Sequence, residues 1–238
     1  MKSRYHTELT RLTLQAHFSP DALEEIIAAN LAQDALQNQL GSKAHFHFDN
    51  NKIAESLAYV ESLHGQIAVL AAQSDHGKLQ RAALGRLCHA VQDFYAHSNY
   101  VDLWLANHDH PVPPAYAIDG LIPELLNHPD LRTGTFVLLR DIIYYVPLIG
   151  ALWRRIYVPP GSHEAMNLDS PDRGWKFSYA MVAARRRTLH EYWRAVQAVQ
   201  DAGGDSALRE FGGQWIERPG VTQLVPSTGR SACGAVIV

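Results

Sequence analysis

In the stretch LCHAVQDFYAHSNYVDLW, His89, Asp93 and His97 stand four residues apart. On a helix, steps of four advance the side chain by about 400°, so the three project from nearly one face, one above the next. Leu87, Val91, Phe94 and Tyr95 surround them. Burying a His, Asp, His stripe is destabilising unless an opposite charge sits against it. A metal ion supplies that charge, and imidazole and carboxylate are ligands that zinc accepts. Thirteen histidines against two cysteines point to imidazole rather than thiolate ligation. The alternative is a partly exposed polar face with hydrogen-bonded histidines.

Positioning such a stripe requires helices, and the apolar period is helical almost throughout the chain. Residues 7 to 16 form a short candidate. Ser19, Pro20 and Asp21 read as a helix start, with Pro in the tolerated first turn, and the helix runs from 22 to about 40, where Gly41 stops it. After the polar loop HFHFDNN, residues 53 to 72 and 78 to 104 read as two long helices joined by the SDHG turn. Residues 107 to 135 are irregular with a short helix near 121 to 126. Residues 136 to 156 are a helix pair broken by Pro147 and Gly150, and a last long helix spans about 175 to 202. Period-two strand signals are almost absent. The expectation is an all-α, single-domain bundle of about seven helices over residues 1–218 with a metal site in its core, followed by an irregular tail at 219–238.

A chain of 238 residues with 47% hydrophobic content can bury one generous core. The net charge of −3 provides no basic field for a polyanion, so nucleic acid is not a favoured partner. No run of eighteen apolar residues exists, and MKSRYHTELTRLTLQ lacks the apolar stretch of a secretory signal. The expectation is a soluble chain without a cleavable signal or transmembrane segment, cytoplasmic or exported by a leaderless route. Cys88 and Cys233 are expected to form no disulfide.

The segment HAVQDFYAHSNYVDLW resembles the signature helix of the bacterial zinc-dependent phospholipases C and of the fungal heterokaryon-incompatibility protein HET-C, a superfamily that also holds the single-strand-specific zinc nucleases. Four further segments resemble that family in chain order. HTELTRLTL implies a ligand at His6, and IIAANLAQDALQ a catalytic, metal-bound carboxylate at Asp34. HFHFDNN implies a ligand at His47, with His45 as the alternative, and GSHEAMNLDSP implies His163 and Asp169. Asp49 and Asn50 have a second reading as caps of the next helix. In the family's phospholipases and nucleases an N-terminal tryptophan also binds one metal, whereas here Met1 precedes His6 by five residues.

The resemblance implies two or three zinc ions held by His6, Asp34, His47, His89, Asp93, His97, His163 and Asp169. Ions so held acidify bound water and polarise a phosphoryl oxygen, the chemistry of phosphodiester hydrolysis, with Asp93 bridging ions and Asp34 orienting the water. The expected function is a phospholipase C acting on phosphatidylcholine-like lipid at a membrane surface. The alternatives are a zinc nuclease and a HET-C-like toxicity factor with structural metals. Residues 142 to 154 tilt the reading towards lipid: only Arg154, the last of them, is charged, and Arg155 and Tyr157 follow. That segment is either an interfacial insertion or a buried helix pair.

Overall fold

The computed structural model describes residues 1–35, 41–109, 111–137, 142–146 and 148–213. Along them run nine helices: α1 (Ser3–Leu14), α2 (Pro20–Leu31), α3 (Ile53–Ala71), α4 (Gly77–His97), α5 (Tyr100–Ala106), α6 (Pro123–Leu126), α7 (Ile149–Ile156), α8 (His163–Met166) and α9 (Phe177–Phe211). Two of these, α6 and α8, are single turns of four residues, which leaves seven longer helices. Extended pairing among the described residues is confined to two isolated bridges, Ser98 with Thr133 and Thr135 with Ser162. The fold is all-α. The expected tail at 219–238, Pro147 and Cys233 lie outside the described residues, while Cys88 is buried.

Helix α4 is the central element. Its side chains are buried from Ala83 to His97 with the exception of Arg86, because α2, α3 and α9 pack against it from different sides. Apolar residues line most of that circumference, as expected for a helix surrounded by others. Helix α1 closes the bundle by packing on α2 and α9. Gly85 sets the approach of α2 to α4. A Cβ there would stand 2.4 Å from the Ile26 carbonyl oxygen and 2.7 Å from the Ala29 Cβ, so only glycine permits this separation.

Several boundaries differ from the sequence reading. Ser19 accepts a hydrogen bond from the Ala22 N–H and Pro20 occupies the first turn, as expected. However, α2 ends at Leu31 and gives way to a 3-10 turn, Ala32–Asp34; residues 36–40 lie outside the described ones. The helix expected over 78 to 104 is two helices. Ser98 is extended (φ −108°, ψ 166°), Gly134 donates to the His97 carbonyl and Asn99 donates to that of Arg132. The apolar period continues through α5, so periodicity cannot register a break made by a distant loop. Helix α9 is broken at Gly204 (φ 64°, ψ −159°), close to the expected end near 202, and a further helical stretch continues to Phe211.

Candidate metal centre

The His89, Asp93, His97 stripe lies on α4 as its spacing requires, and all three side chains are buried. The turns that bring other donors to it are built from unusual backbone. In the HFHFDNN loop, Phe48, Asn50 and Asn51 adopt left-handed conformations, for which asparagine is better suited than most residues. Asn50 Oδ1 accepts from the Phe136 N–H and Asn51 Oδ1 from the Thr133 N–H, so the loop is laced to residues 133–136. The result places His47 and Asp49 both inward. The cap reading for Asp49 is corrected: α3 begins at Ile53, and Lys52 holds the cap position without a side-chain hydrogen bond. On the other side, the Ser162 hydroxyl caps α8 and sets His163 at its first position.

All eight candidate residues converge on one centre, with Asp93 at its hub. Its Oδ1 lies 3.1 Å from His6 Nε2, and its Oδ2 lies 2.9 Å from His89 Nε2 and 3.0 Å from His47 Nδ1. His97 Nε2 stands 3.8 Å from Asp93 Oδ1 and 3.1 Å from Asp169 Oδ1. Asp34 Oδ1 lies 3.7 Å from His89 Nε2, and His163 Nε2 lies 4.0 Å from Asp169 Oδ2. His45 takes no place in this set; its ring packs on Phe46 and Tyr59. Among the described residues, three donor groups have their ligand atoms within 4.8 Å of one another: His6, His89 and Asp93; Asp34, His47 and His89; and Asp49, His97 and His163.

Two donors escaped the sequence reading. Asp49 Oδ1 accepts from His163 Nδ1 at 3.0 Å and lies 3.5 Å from His97 Nδ1. Its only sequence signal is its place two residues after His47, which also suits a cap. The α-amine of Met1 lies 2.5 Å from Asp93 Oδ1, 3.0 Å from Asp169 Oδ1 and 3.0 Å from His97 Nε2.

A shell of buried amides fixes the ring orientations, an arrangement typical of metal-binding histidines. Asn30 Nδ2 donates to Thr10 Oγ1 and Gln92 Oε1, and Gln92 Nε2 donates to Thr10 Oγ1 and Thr188 Oγ1. The amide oxygens are thereby left to accept from His6 Nδ1 (on Gln92, 2.7 Å) and His89 Nδ1 (on Asn30, 3.2 Å). His97 Nδ1 donates to the His47 carbonyl at 3.1 Å. In each ring Nδ1 holds the proton, so a neutral imidazole turns the Nε2 lone pair towards the carboxylates. His6 Nε2 and His47 Nε2 are buried without an aligned hydrogen bond.

The electrostatics describe carboxylates that already hold positive charge. Burial works to raise Asp93 and Asp169, yet the Met1 amine and the surrounding imidazoles keep both well below the ordinary carboxylate range. Burial works to lower the amine, and Asp169 and Asp93 instead lift it to about 11. Burial pushes His89 down to about 3, against the pull of Asp93. His163 is lifted to about 9 because Asp49 and Asp169 outweigh its burial. Burial and the charge of Asp93 push Asp34 up. The donor set fits a hard or borderline divalent cation: imidazole nitrogens with fixed tautomers, several carboxylates, and buried ring nitrogens lacking another partner.

Comparison with known proteins places the similarity elsewhere than the motif does. A family model described as the VWA7 N-terminal domain matches residues 5–111, a span that includes His6, Asp34, His47, Asp49, His89, Asp93 and His97. Von Willebrand factor A domain-containing protein 7 is 39% identical over 82 residues in Homo sapiens, 38% in Rattus norvegicus and 37% in Mus musculus. Each alignment takes in 34% of this chain and 9% of the relative, so the chain spans only a small part of the proteins it matches. No solved structure matches it.

These findings overturn the resemblance to the zinc phospholipases C and HET-C. With it fall the expected zinc-dependent phosphodiester hydrolase, whether a phospholipase C on phosphatidylcholine-like lipid or a zinc nuclease, and the HET-C-like toxicity factor. The physical reason lies in the motif. It centres on one donor-bearing helix, and the same polar stripe in an apolar setting arises wherever a helix presents histidine and aspartate to a buried ion.

Proposed function

We propose that the chain is a metal-binding helical module in which two or more divalent transition-metal ions, zinc by preference, tie the bundle together. The observation that carries this reading is His89. Its Nδ1 proton is committed to Asn30, its Nε2 faces Asp93 Oδ2 at 2.9 Å, and it is fully buried. The same Nε2 lies 3.0 Å from His47 Nδ1, which is itself 3.0 Å from Asp93 Oδ2, so two ring nitrogens and a carboxylate oxygen crowd one buried point that a cation can share.

One ion is assigned to His6, Asp34, His47, His89 and Asp93, and another to Asp49, His97, His163 and Asp169. Bound there, zinc supplies fixed positive charge to carboxylates that the α-amine and protonated imidazoles otherwise balance. The residues then act structurally. Asp93 links α4 to α1 through His6 and to the 41–52 loop through His47, while Asp49 links that loop to α8 through His163. The similarity to the VWA7 N-terminal domain supports a module of larger proteins, in which metal binding maintains shape.

The test is thermal unfolding of the chain with excess zinc and with a chelator. Saturating an ion at about a thousand times its dissociation constant stabilises the fold by about 4 kcal/mol, which for a domain of this size raises the melting temperature by roughly 10 °C. Identical melting curves under the two conditions would refute the reading.

A further inference from the structure

We infer that α7 and the turn before it form a docking element for a lipid surface bearing anionic headgroups, a role in which the lipid is not a substrate. The sequence left two readings of this segment, and the structure separates them. Leu148 is 89% exposed, Leu152 60% and Ile156 64%, and Ile149 is also exposed. Ile149, Leu152 and Ile156 recur at three and four residues, so they form one stripe that faces solvent.

The outward rotation of that stripe is built in. A Cβ at Gly150 would stand 2.3 Å from the Tyr144 carbonyl oxygen, so the helix rests its glycine on the 3-10 turn Ile142–Tyr145 and turns its large side chains away. Leu148 takes a left-handed conformation (φ 64°), uncommon for leucine, at the exposed tip. The element is anchored as a unit. Tyr144 donates its hydroxyl proton to the Tyr157 carbonyl, and at the base the Thr135 N–H donates to Gly161 and the His163 N–H to Thr135. The base of the projection is thereby tied by backbone to His163 of the donor cluster.

Charge selects the occupant. From Ile142 to His163 there is no Asp or Glu, while Arg154 and Arg155 give this stretch positive charge in a chain of net −3. Arg155 is exposed on the flank of the apolar stripe, and Tyr157, exposed at the helix end, suits the headgroup boundary. A second copy docked symmetrically would bring arginine towards arginine, with no carboxylate in the segment to pair them. An anionic membrane receives both the apolar stripe and the basic flank, the two signals that together give stable surface binding.

The test is co-sedimentation of the chain with phosphatidylcholine vesicles with and without phosphatidylserine. Binding is expected on phosphatidylserine vesicles, reduced at high salt. Leu152→Ser with Ile156→Ser should weaken it at least tenfold, because two large apolar side chains no longer leave water. Arg155→Gln should weaken it on phosphatidylserine vesicles alone, and Val69→Ser, at an exposed position on α3, should leave it unchanged. All variants should melt with the unsubstituted chain, since the replaced side chains are exposed. Absence of vesicle binding, equal binding by the double variant, or a dimer broken by the same changes without vesicle binding would overturn the inference.

Discussion

Asp93 stands at the hub of the cluster, and its charge is what the surrounding imidazoles and the amine answer. Asp93→Asn keeps the shape of the side chain but removes the charge, so cations held there are less well neutralised. We predict that zinc affinity falls by at least tenfold in Asp93→Asn. His76→Ala should leave it unchanged, because the His76 ring bonds the Ser74 carbonyl in the turn before α4, away from the cluster. Equal affinities for the two variants, measured by competition with a chromophoric chelator, would contradict the assignment.

A second buried ionic group, remote from the metal donors in sequence, makes a separate prediction. Glu191 on α9 accepts from His64, Arg187 and Arg194. Burial works to raise its carboxyl, but the His64 hydrogen bond and the two guanidinium charges hold it at about 2. A carboxyl depressed in the fold contributes stability that is complete above its unfolded value of about 4.3 and is lost as pH falls towards 2. The contribution is on the order of 3 kcal/mol. Denaturant unfolding should show Glu191→Gln destabilised by that order at pH 7, with the gap to the unsubstituted chain narrowing between pH 5 and 2. A constant gap across that range would exclude this role.

Among elements, the contact between α2 and α4 links packing to the site. Helix α2 carries Asn30, which orients His89, and leads into the turn that carries Asp34. Gly85→Ala introduces a methyl where 2.4 Å separates it from backbone, so α2 must move away, at about 1–3 kcal/mol. The displacement should lower both the melting temperature and zinc affinity. Gly65→Ala on the exposed side of α3 meets nothing within 4 Å and should be neutral or stabilising by about 1 kcal/mol. Similar melting temperatures for the two variants would show that the close approach is not a constraint.

The elements also show what the sequence made legible. The stripe on α4 and the start of α2 could be read because they depend on local spacing and one cap. The break at Ser98 could not, because residues 132–134 impose it from far along the chain. Asn30 and Gln92 look like ordinary polar helix residues until the fold places their oxygens against His89 and His6. Asp49 was ambiguous because the same short acid suits a turn and a ligand. The left-handed backbone at Phe48, which chooses between those uses, has no signature in side-chain type.

At the scale of the whole molecule, the donors come from α1, the segment after α2, the 41–52 loop, α4, α8 and the loop beyond it, so a bound ion joins segments distant in sequence. The bundle supplies its own apolar core around α4, and the cluster of histidine and aspartate replaces core along one side of that helix. The similarity to the VWA7 N-terminal domain covers the first three of these groups and α4, while His163 and Asp169 fall beyond residue 111. Among the described residues no helix is long and apolar enough to cross a membrane.

The central claim is that this cluster of histidine and aspartate is a metal centre, and the most direct measurement is the metal content of the chain purified without chelator. Elemental analysis is expected to find at least two transition-metal ions per molecule, with the content reduced in Asp93→Asn. A chain that is fully folded, free of metal and unable to take up added zinc would contradict the account.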